Sequence, residues 1–341
     1  MRYKLLGRSG LRVSETCLGT MTFGETWGWG ASSSESRKMF DLFAEAGGNF
    51  IDTSVNYTDG TSEEFLGDFL KSDRDHFVVA TKYTLTKPSD TDPNGGGNSR
   101  KNMMKSVERS LKRLKTDHID LFYLHMWDYM TPVEEVARGL DDLIRQGKVL
   151  YAGFSDTPDY IVAEANTRAD LMGWSRFISM QVPYSLLDRA VERSVIPMAG
   201  HWDMTVLAWG VLEAGLLTGK FLKNVNDPTR IDQKELKVSE KNQAVVKEVE
   251  KIAQEVGRPM SQVAINWVRQ NPNARMIPIL GARSEKQLKD NLGAMQWALS
   301  EEQYKRLDEA SAIDLGFPHS IIKGNEYVFG ATFDKIDNHR V

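Results

Sequence analysis

Four polar side chains with complementary chemistry lie in or just after apolar runs in the first part of the chain. Asp52 belongs to the run NFIDTS, and Tyr57 follows it five residues later. Lys82 belongs to FVVATKY, and His125 ends IDLFYLH. If these runs are parallel strands of one barrel, their carboxyl ends meet at one mouth and the four side chains come together. Such a group is suited to protonating a carbonyl oxygen during its reduction.

Tyr57 is the candidate proton donor of this group. A phenol in water has a pKa of about 10, so it is a weak acid at neutral pH. The ammonium of Lys82 would lower that pKa by stabilising the phenolate. Asp52 would hold Lys82 in place and keep it charged. His125 would donate a hydrogen bond to the same substrate oxygen and orient the substrate.

Each of the four residues also has a simpler interpretation when it is taken alone. Asp52 could cap a turn, and Tyr57 could be a packed or surface aromatic. Lys82 could form a structural ion pair, and His125 could be a core histidine bonded to the backbone. The amine of Lys82 also leaves open a lyase or isomerase that works through a Schiff base. The joint pattern at successive strand ends favours the reductase chemistry.

Eight apolar runs alternate with segments of helical periodicity, which is the pattern of repeated strand–helix units. The runs are ETCLGT, NFIDTS, FVVATKY, IDLFYLH, VLYAGFS, FISMQVP, MTVLAWG and MIPILGA. Between them, segments such as SSESRKMFDLFAEAGG place apolar residues on one helical face. A barrel and a doubly wound sheet share this alternation. The barrel is favoured because no G-x-G-x-x-G follows the first run and no linker divides the chain.

We therefore predict an α/β fold in which residues 1–341 form a single (βα)8 TIM barrel domain. The opening YKLLGRSGLRVS predicts an N-terminal β-hairpin. Segments 21–34 and 84–100 predict extended loops at the C-terminal face of the barrel, where loops shape substrate pockets.

Two further segments have less regular patterns. The polar stretch 223–240 is expected to close over a ligand. In the tail, Phe317, Phe329 and Phe333 are expected to pack on the barrel or to line its mouth.

The composition is that of a globular protein whose partners are small molecules. Hydrophobic residues make up 41% of the 341 positions, enough for a large core. A net charge of -4 gives no electrostatic basis for binding nucleic acid or an anionic membrane. The single cysteine, Cys17, suits a reducing compartment, and neither a signal peptide nor a membrane-spanning run is recognisable. We expect a cytoplasmic protein.

Motifs of other common chemistries are absent from the sequence. The six histidines show no H-E-x-x-H or similar spacing, so no metal site is predicted. No G-x-S-x-G elbow and no lysine-bearing phosphate loop occurs. Trp27, Trp29, Trp127 and Tyr129 predict an aromatic-rich substrate pocket, suited to aryl aldehydes or sugars, although some of these tryptophans could instead pack loops together. The helices give no basis for predicting an oligomeric state.

The stretch GGNFIDTSVNYTDGTSEEFLG closely resembles the signature of the aldo-keto reductase superfamily. That family keeps an Asp, a Tyr five residues later, and a Lys and a His at the ends of the next two strands, which are Asp52, Tyr57, Lys82 and His125 here. LGTMTFG, YAGFSDTP, QVPYSLLDR and GLLTGKF are similar to the aryl-alcohol dehydrogenase-like and channel β-subunit-like branches. The resemblance spans about residues 3 to 310 and implies NADPH-dependent reduction of an aldehyde or ketone to an alcohol.

The resemblance also implies how the cofactor binds. Family members bind NADPH across the barrel mouth without a Rossmann domain. Asp52 would share in this site, Ser155, Asp156 and Gln181 would meet the nicotinamide carboxamide, and Trp209 would stack on its ring. The other implied contacts are Thr20 and Met21 beside the nicotinamide, Gly210, Val211, Leu212, Gly215 and Lys220 along the pyrophosphate, and Gly281, Arg283, Gln287, Asp290 and Asn291 around the adenosine phosphate.

Three details of this comparison bear on cofactor binding. Arg283 precedes a helix start, so a 2′-phosphate there would meet a guanidinium and free backbone donors. Asp156 stands where many members have Asn, and a carboxylate cannot donate to the carboxamide oxygen. Gly210 and Val211 replace a frequent Ser-Pro, which makes that turn less rigid.

The resemblance leaves one alternative open, an NADPH-carrying regulatory subunit with slow turnover. The channel β-subunits that it resembles lack a histidine at the position of His125. This chain keeps the histidine, which favours an enzyme.

Overall fold

The computed structural model describes residues 1–219, 239–322 and 325–337. Eight parallel strands close into a barrel in which neighbours follow chain order and the last strand pairs with the first. The predicted (βα)8 barrel is therefore confirmed, and each predicted run contains a strand. The barrel strands are β3 (Cys17–Gly19), β4 (Phe50–Asp52), β5 (Val78–Tyr83), β6 (Ile119–Leu124), β7 (Val149–Ser155), β8 (Phe177–Pro183), β9 (Thr205–Trp209) and β10 (Met276–Gly281).

At least one helix connects each barrel strand to the next, as right-handed βαβ units require. The helices of the described residues are α1 (Ser33–Glu45), α2 (Thr61–Phe69), α3 (Arg100–Leu114), α4 (Val133–Arg145), α5 (Asp159–Met172), α6 (Val195–His201), α7 (Glu240–Val256), α8 (Met260–Arg269), α9 (Glu285–Leu292), α10 (Glu301–Ser311), α11 (His319–Ile322) and α12 (Asn325–Phe329). No helix among these is both long enough and apolar enough to cross a membrane.

The barrel strands are buried on both faces, which explains why they appear in the sequence as continuous apolar runs. One cluster fills the barrel interior and includes Phe50, Leu121 and Ile277. A larger cluster lies between the outer strand faces and the helices. The carboxyl ends of the strands are left as the place where polar side chains gather.

The predicted hairpin is present as β1 (Tyr3–Leu5) and β2 (Arg12–Ser14), which pair antiparallel. It covers the end of the barrel where the strands begin. The backbone N–H of Gly7 donates to Thr205 Oγ1 at 2.7 Å, and Lys4 Nζ donates to the carbonyl of Met276 at 2.6 Å. The hairpin therefore leaves the opposite end, where the strands end, as the mouth of the barrel that it does not cover.

The two long loops at that mouth are present as predicted, between β3 and α1 and between β5 and α3. Most of the segment expected to close over a ligand, residues 223–238, lies outside the described residues. Phe317 is 81% exposed, so it does not pack on the barrel. Phe329 is half-exposed, and the side chain of Phe333 lies outside the description.

Candidate active site

Strands β4, β5 and β6 bring the four predicted side chains together at the carboxyl ends, with Lys82 at the centre. Lys82 Nζ donates to Asp52 Oδ2 at 2.6 Å, to the carbonyl of Thr53 at 2.8 Å and to the Tyr57 hydroxyl at 3.0 Å. The rings of Tyr57 and His125 meet edge to face, with 5.9 Å between their centroids. A buried acid, amine, phenol and imidazole therefore share one site.

A strained turn places the phenol of Tyr57 against Lys82. The chain leaves β4 at Asp52 and enters a 3-10 turn over Tyr57–Gly60 before α2 begins. Thr58, Asp59 and Gly60 have φ values of 43°, 60° and 103°, so three successive residues adopt the left-handed region. This conformation is sterically strained for residues other than glycine, and such strain is typical of functional sites.

The charge on Lys82 is fixed by its partners. Burial alone would lower the pKa of Lys82, but the Asp52 carboxylate and the Tyr57 hydroxyl raise it above its usual value. Burial raises the pKa of Tyr57, and the nearby ammonium of Lys82 only partly opposes this effect. Lys82 lowers the pKa of Tyr57 as expected, but desolvation of the phenolate is the larger effect, so the net pKa of Tyr57 is raised. At neutral pH Tyr57 holds its proton.

His125 is a neutral imidazole in this setting. Burial lowers the pKa of His125 well below its usual value, and the ammonium of Lys82 adds to the effect. Its Nδ1 lies 3.1 Å from Ser54 Oγ, whose single proton is donated to Asn56 Oδ1 at 2.7 Å. A neutral imidazole carries one ring proton, so the partner at Nδ1 decides whether Nε2 can donate.

Gln181 lies opposite Ser155 near the end of β8 and makes a contact that the resemblance does not imply. Its Nε2 donates to Asp52 Oδ1 at 2.8 Å. Both oxygens of Asp52 are thus occupied, one by Lys82 and one by Gln181. The Gln181 amide therefore stabilises the Asp52 carboxylate of the buried ion pair. The sequence does not predict this contact, because Gln181 and Asp52 are 129 positions apart.

Asp156 and Trp209 form a pair at the ends of β7 and β9. Trp209 is 41% exposed and its Nε1 donates to Asp156 Oδ1 at 3.3 Å. Asp156 has a φ of 39°, a conformation that Asp and Asn tolerate better than most residues. Burial raises its pKa, and the indole N–H of Trp209 opposes the shift. Ser155, beside it, is buried. An exposed flat ring here is suited to stacking against a nicotinamide.

The remaining residues beside the expected nicotinamide and pyrophosphate are distributed as follows. Thr20 is fully buried and its hydroxyl donates to the carbonyl of Asp52 at 2.9 Å, while Met21 is partly buried. Val211 is buried in the core, and Leu212 packs against it. Gly210 and Gly215 have φ values of 72° and 101°. Lys220 lies outside the described residues.

At the start of α9, two expected backbone donors already have partners. Glu35, in the first turn of α1, accepts a hydrogen bond from the Glu285 backbone N–H at 2.8 Å through Oε1. Ser284 caps the helix, and Gln287 Oε1 accepts from the Arg283 backbone N–H at 2.9 Å. The N–H groups of Arg283 and Glu285, which were expected to be free, are therefore occupied, the second because the packing of α1 on α9 delivers a carboxylate there.

The other residues of the expected adenosine site lie on β10 and α9. Gly281 is exposed at the end of its strand, and Asn291 is buried within α9. Asp290 Oδ2 accepts a hydrogen bond from Ser261 Oγ at 2.6 Å. The carboxylate of Asp290 is therefore oriented by α8.

The predicted aromatic pocket residues divide into two groups. Trp27 and Trp29 pack on each other in the loop after β3, with 5.8 Å between ring centroids. Tyr129 is 71% exposed in the loop after β6. Trp127 is buried in the hydrophobic core. Contact of Trp27 and Trp29 with substrate stays a prediction.

The chain is similar in sequence to known proteins. The model of the Aldo/keto reductase family matches residues 15–312. An aryl-alcohol dehydrogenase [NADP(+)] of Phanerodontia chrysosporium is 38% identical, over 93% of this chain and 88% of its own. A norsolorinic acid reductase of Aspergillus flavus is 36% identical, over 93% and 83%. A putative aryl-alcohol dehydrogenase of Saccharomyces cerevisiae is 35% identical, over 94% and 89%.

This chain belongs to the aldo/keto reductase family. It is an oxidoreductase of carbonyl groups, and the relatives named above are all enzymes, so the comparisons give no support to a regulatory subunit. A Schiff base at Lys82 is also disfavoured, because a protonated amine that donates three hydrogen bonds is not a nucleophile. Within the residues that the structure describes, no group of three or more His, Cys, Asp or Glu side chains could hold a metal ion.

Proposed function

We propose that this protein reduces aryl aldehydes or ketones to alcohols with NADPH, and that Tyr57 is the general acid. The observation that carries the proposal is the 3.0 Å hydrogen bond between Lys82 Nζ and the Tyr57 hydroxyl inside a buried site. When bound, NADPH supplies the hydride.

Each residue of the site has a defined task in this proposal. Tyr57 donates its proton to the carbonyl oxygen as that oxygen becomes an alkoxide. Lys82 stabilises the phenolate left behind, and Asp52 keeps Lys82 protonated. His125 would donate a hydrogen bond to the same oxygen through Nε2–H once the Ser54 hydroxyl turns from Asn56 Oδ1 to donate to Nδ1, because its single proton cannot serve both acceptors. Burial keeps water away and strengthens each of these interactions.

The residues at the mouth fit a dinucleotide. The exposed face of Trp209 offers an apolar surface for the nicotinamide, and Asp156 and Ser155 lie beside it. Arg283 and α9 would hold the adenosine phosphate, with Asp290 and Asn291 further along the same helix. NADPH is proposed over NADH because a named relative is an NADP(+) enzyme and because a guanidinium recognises a phosphate well.

The substrate class rests on aromatic side chains and on the relatives' names. Trp27 and Trp29 form a pair in the long loop after β3, at the mouth that holds Tyr57. Aromatic side chains bind flat aryl groups well. Two of the named relatives are aryl-alcohol dehydrogenases. A cytoplasmic location and a single domain over residues 1–341 remain predictions of the sequence.

The variant Tyr57→Phe tests the assignment of the acid. It removes only the hydroxyl, so turnover of an aryl aldehyde should fall by about 100- to 10,000-fold. The dissociation constant for NADPH should change little, because the phenol does not hold the cofactor. Both quantities are measured by NADPH absorbance and fluorescence. Turnover equal to that of the wild type would refute the assignment.

Titration of the intrinsic tryptophan fluorescence with NADPH and NADH separately tests the cofactor. Quenching at micromolar NADPH and weaker quenching by NADH supports Trp209 at the nicotinamide and Arg283 at the 2′-phosphate. Tighter NADH binding overturns the phosphate assignment but leaves the enzyme class intact. Binding of neither dinucleotide contradicts the proposed function as a whole.

A further inference from the structure

The Tyr57 turn is held from its outer side by a side chain that does not belong to the group of four. Arg113, near the end of α3, donates from Nη1 to the carbonyl of Val55 at 2.8 Å. Its Nη2 donates to the carbonyl of Asp59 at 3.4 Å. These carbonyls lie two residues before and two residues after Tyr57. The guanidinium therefore bridges the two sides of the turn that carries the phenol.

The same guanidinium is connected to the strand that carries Lys82. Arg113 Nη1 lies 3.2 Å from Glu63 Oε2, and Thr81 Oγ1 donates to Glu63 Oε1 at 2.7 Å. Glu63 is fully buried. Thr81 precedes Lys82 in β5, and successive side chains of a strand point to opposite faces. The chain Arg113–Glu63–Thr81 thus holds β5 from outside, while Lys82 holds the Tyr57 hydroxyl from inside.

The turn depends on this outer support because its backbone is unfavourable by itself. Thr58 and Asp59 adopt left-handed φ values that residues with a Cβ avoid. At Gly60, a Cβ would lie 2.2 Å from Arg113 Cζ, so the guanidinium is packed directly against the turn. Without Arg113, two backbone carbonyls and a buried carboxylate lose their partner together.

We propose that Arg113 is a positioning residue for the reduction, and that with Glu63 and Thr81 it sets the place of the Tyr57 hydroxyl relative to Lys82. The inference rests on the proposed function, since Arg113 acts only through Tyr57. A displacement of about 1 Å at a reacting group can lower a rate about 100-fold. Loss of Arg113 should therefore lower kcat and leave cofactor binding unchanged.

The first test compares Arg113→Ala with a matched control on the same helix face. Arg109 lies one helical turn earlier and lines the same small cavity of about 40 Å³. It donates to Ser106 Oγ, and among the described residues no carboxylate lies within 4.0 Å of it. We expect Arg113→Ala to lower kcat by about 10- to 100-fold, with KM and the NADPH dissociation constant within about twofold of wild type. Arg109→Ala should match the wild type in kcat.

Chemical rescue separates positioning from general stability. In Arg113→Ala, guanidinium chloride at tens of millimolar, far below the molar concentrations that unfold proteins, can occupy the vacated space beside Val55 and Glu63. It should restore part of kcat in a saturable manner. The same salt should not raise kcat of Arg109→Ala, of the wild type or of Tyr57→Phe.

Two milder variants keep the test decisive if Arg113→Ala does not fold. Arg113→Lys keeps the charge but cannot bond both carbonyls and Glu63 together. Thr81→Val cuts only the connection to β5. Both should lower kcat without a matching loss in thermal midpoint. The inference on Arg113 is overturned by wild-type kcat in these variants, or by a folded Arg113→Ala that guanidinium does not rescue. Either result leaves the proposed function to be judged by Tyr57→Phe alone. Full activity in Tyr57→Phe refutes both the inference and the proposed function.

Discussion

At the scale of single residues, burial and the charge on Lys82 together set the protonation of Tyr57 and His125. Lys82 shares a buried pair with Asp52, and it adds to the burial effect that keeps His125 neutral. Tyr57 keeps its proton because burial outweighs the attraction of the ammonium for the phenolate. The site thus holds one compensated charge pair and two neutral donors, which suits a neutral carbonyl substrate.

Asp156 is a residue at which pH should change cofactor affinity. Its pKa is raised by burial, so it ionises at a higher pH than an exposed Asp. Only the protonated carboxyl can donate to a carboxamide oxygen, so NADPH binding to the wild type should weaken as pH rises through this pKa. In Asp156→Asn this pH dependence of NADPH binding should disappear. At pH values above the pKa of Asp156, the variant should bind NADPH about fivefold more tightly than the wild type, which is the value of one hydrogen bond.

The measurement is the NADPH dissociation constant of both proteins from acid to neutral pH, in one buffer series. The phosphates of NADPH titrate identically with either protein, so the difference between the two curves isolates Asp156. Parallel curves would exclude Asp156 from carboxamide binding.

At the scale of elements, the packing of α1 against α9 affects the proposed phosphate site. The Glu285 N–H that Glu35 occupies belongs to the first turn of α9, where a helix offers donors to an anion. The N–H keeps the pKa of the Glu35 carboxyl below its usual value, so this side chain is an anion at neutral pH. A 2′-phosphate bound beside Arg283 would meet a carboxylate as a neighbour.

Glu35→Gln should therefore strengthen binding of NADPH but not of NADH. The expected gain is about two- to fivefold, since a charge at a helix terminus contributes about 0.3–1 kcal/mol. Fluorescence titration with both dinucleotides measures it. Glu45→Gln, at the exposed far end of α1, is the control and should alter neither affinity. An equal change for both dinucleotides would argue against a phosphate beside Glu35.

The eight strands were predictable because each one is a short, mostly buried run. Asp52, Lys82 and His125 were predictable because they lie at or near the ends of such runs, and Tyr57 because it follows Asp52 by five residues. The contacts that modify the site could not be predicted from the sequence. Glu35 with α9 and Arg113 with Val55 join distant parts of the chain through side chains whose local sequence is that of an ordinary exposed helix. Likewise, the net pKa direction of Tyr57 depends on the depth of burial, which the run of residue types does not specify.

At the scale of the whole molecule, the end of the barrel covered by the hairpin contains Lys4, whose buried positive charge lowers the stability of the fold. The pKa of Lys4 is lowered, mainly by burial, from 10.5 to about 8. Between these values the unfolded chain holds a proton that the folded protein has released, so stability rises with pH in that window. Below a pH of about 8, Lys4 is protonated in both the folded and the unfolded protein, so the cost of burying its charge does not change with pH.

The comparison of wild type with Lys4→Met tests this expectation. The wild type should gain stability relative to the variant by at most about 3 kcal/mol as the pH rises from about 8 to 10.5. Urea unfolding of both proteins over this range gives the difference, in which the other titrating groups cancel. A constant difference would show that Lys4 keeps its normal pKa.

The pairing of β3 with β10 has a consequence for how the protein is made. Leu18 lies opposite Leu280, so the ring of strands closes only after nearly the whole barrel sequence has left the ribosome. All four members of the proposed catalytic group are synthesised long before the barrel can close. Gln181, which donates to Asp52, is synthesised only after all four of them. A nascent or truncated chain would thus carry these side chains without the enclosed site that gives them their properties, and reductase activity should appear late and abruptly during synthesis.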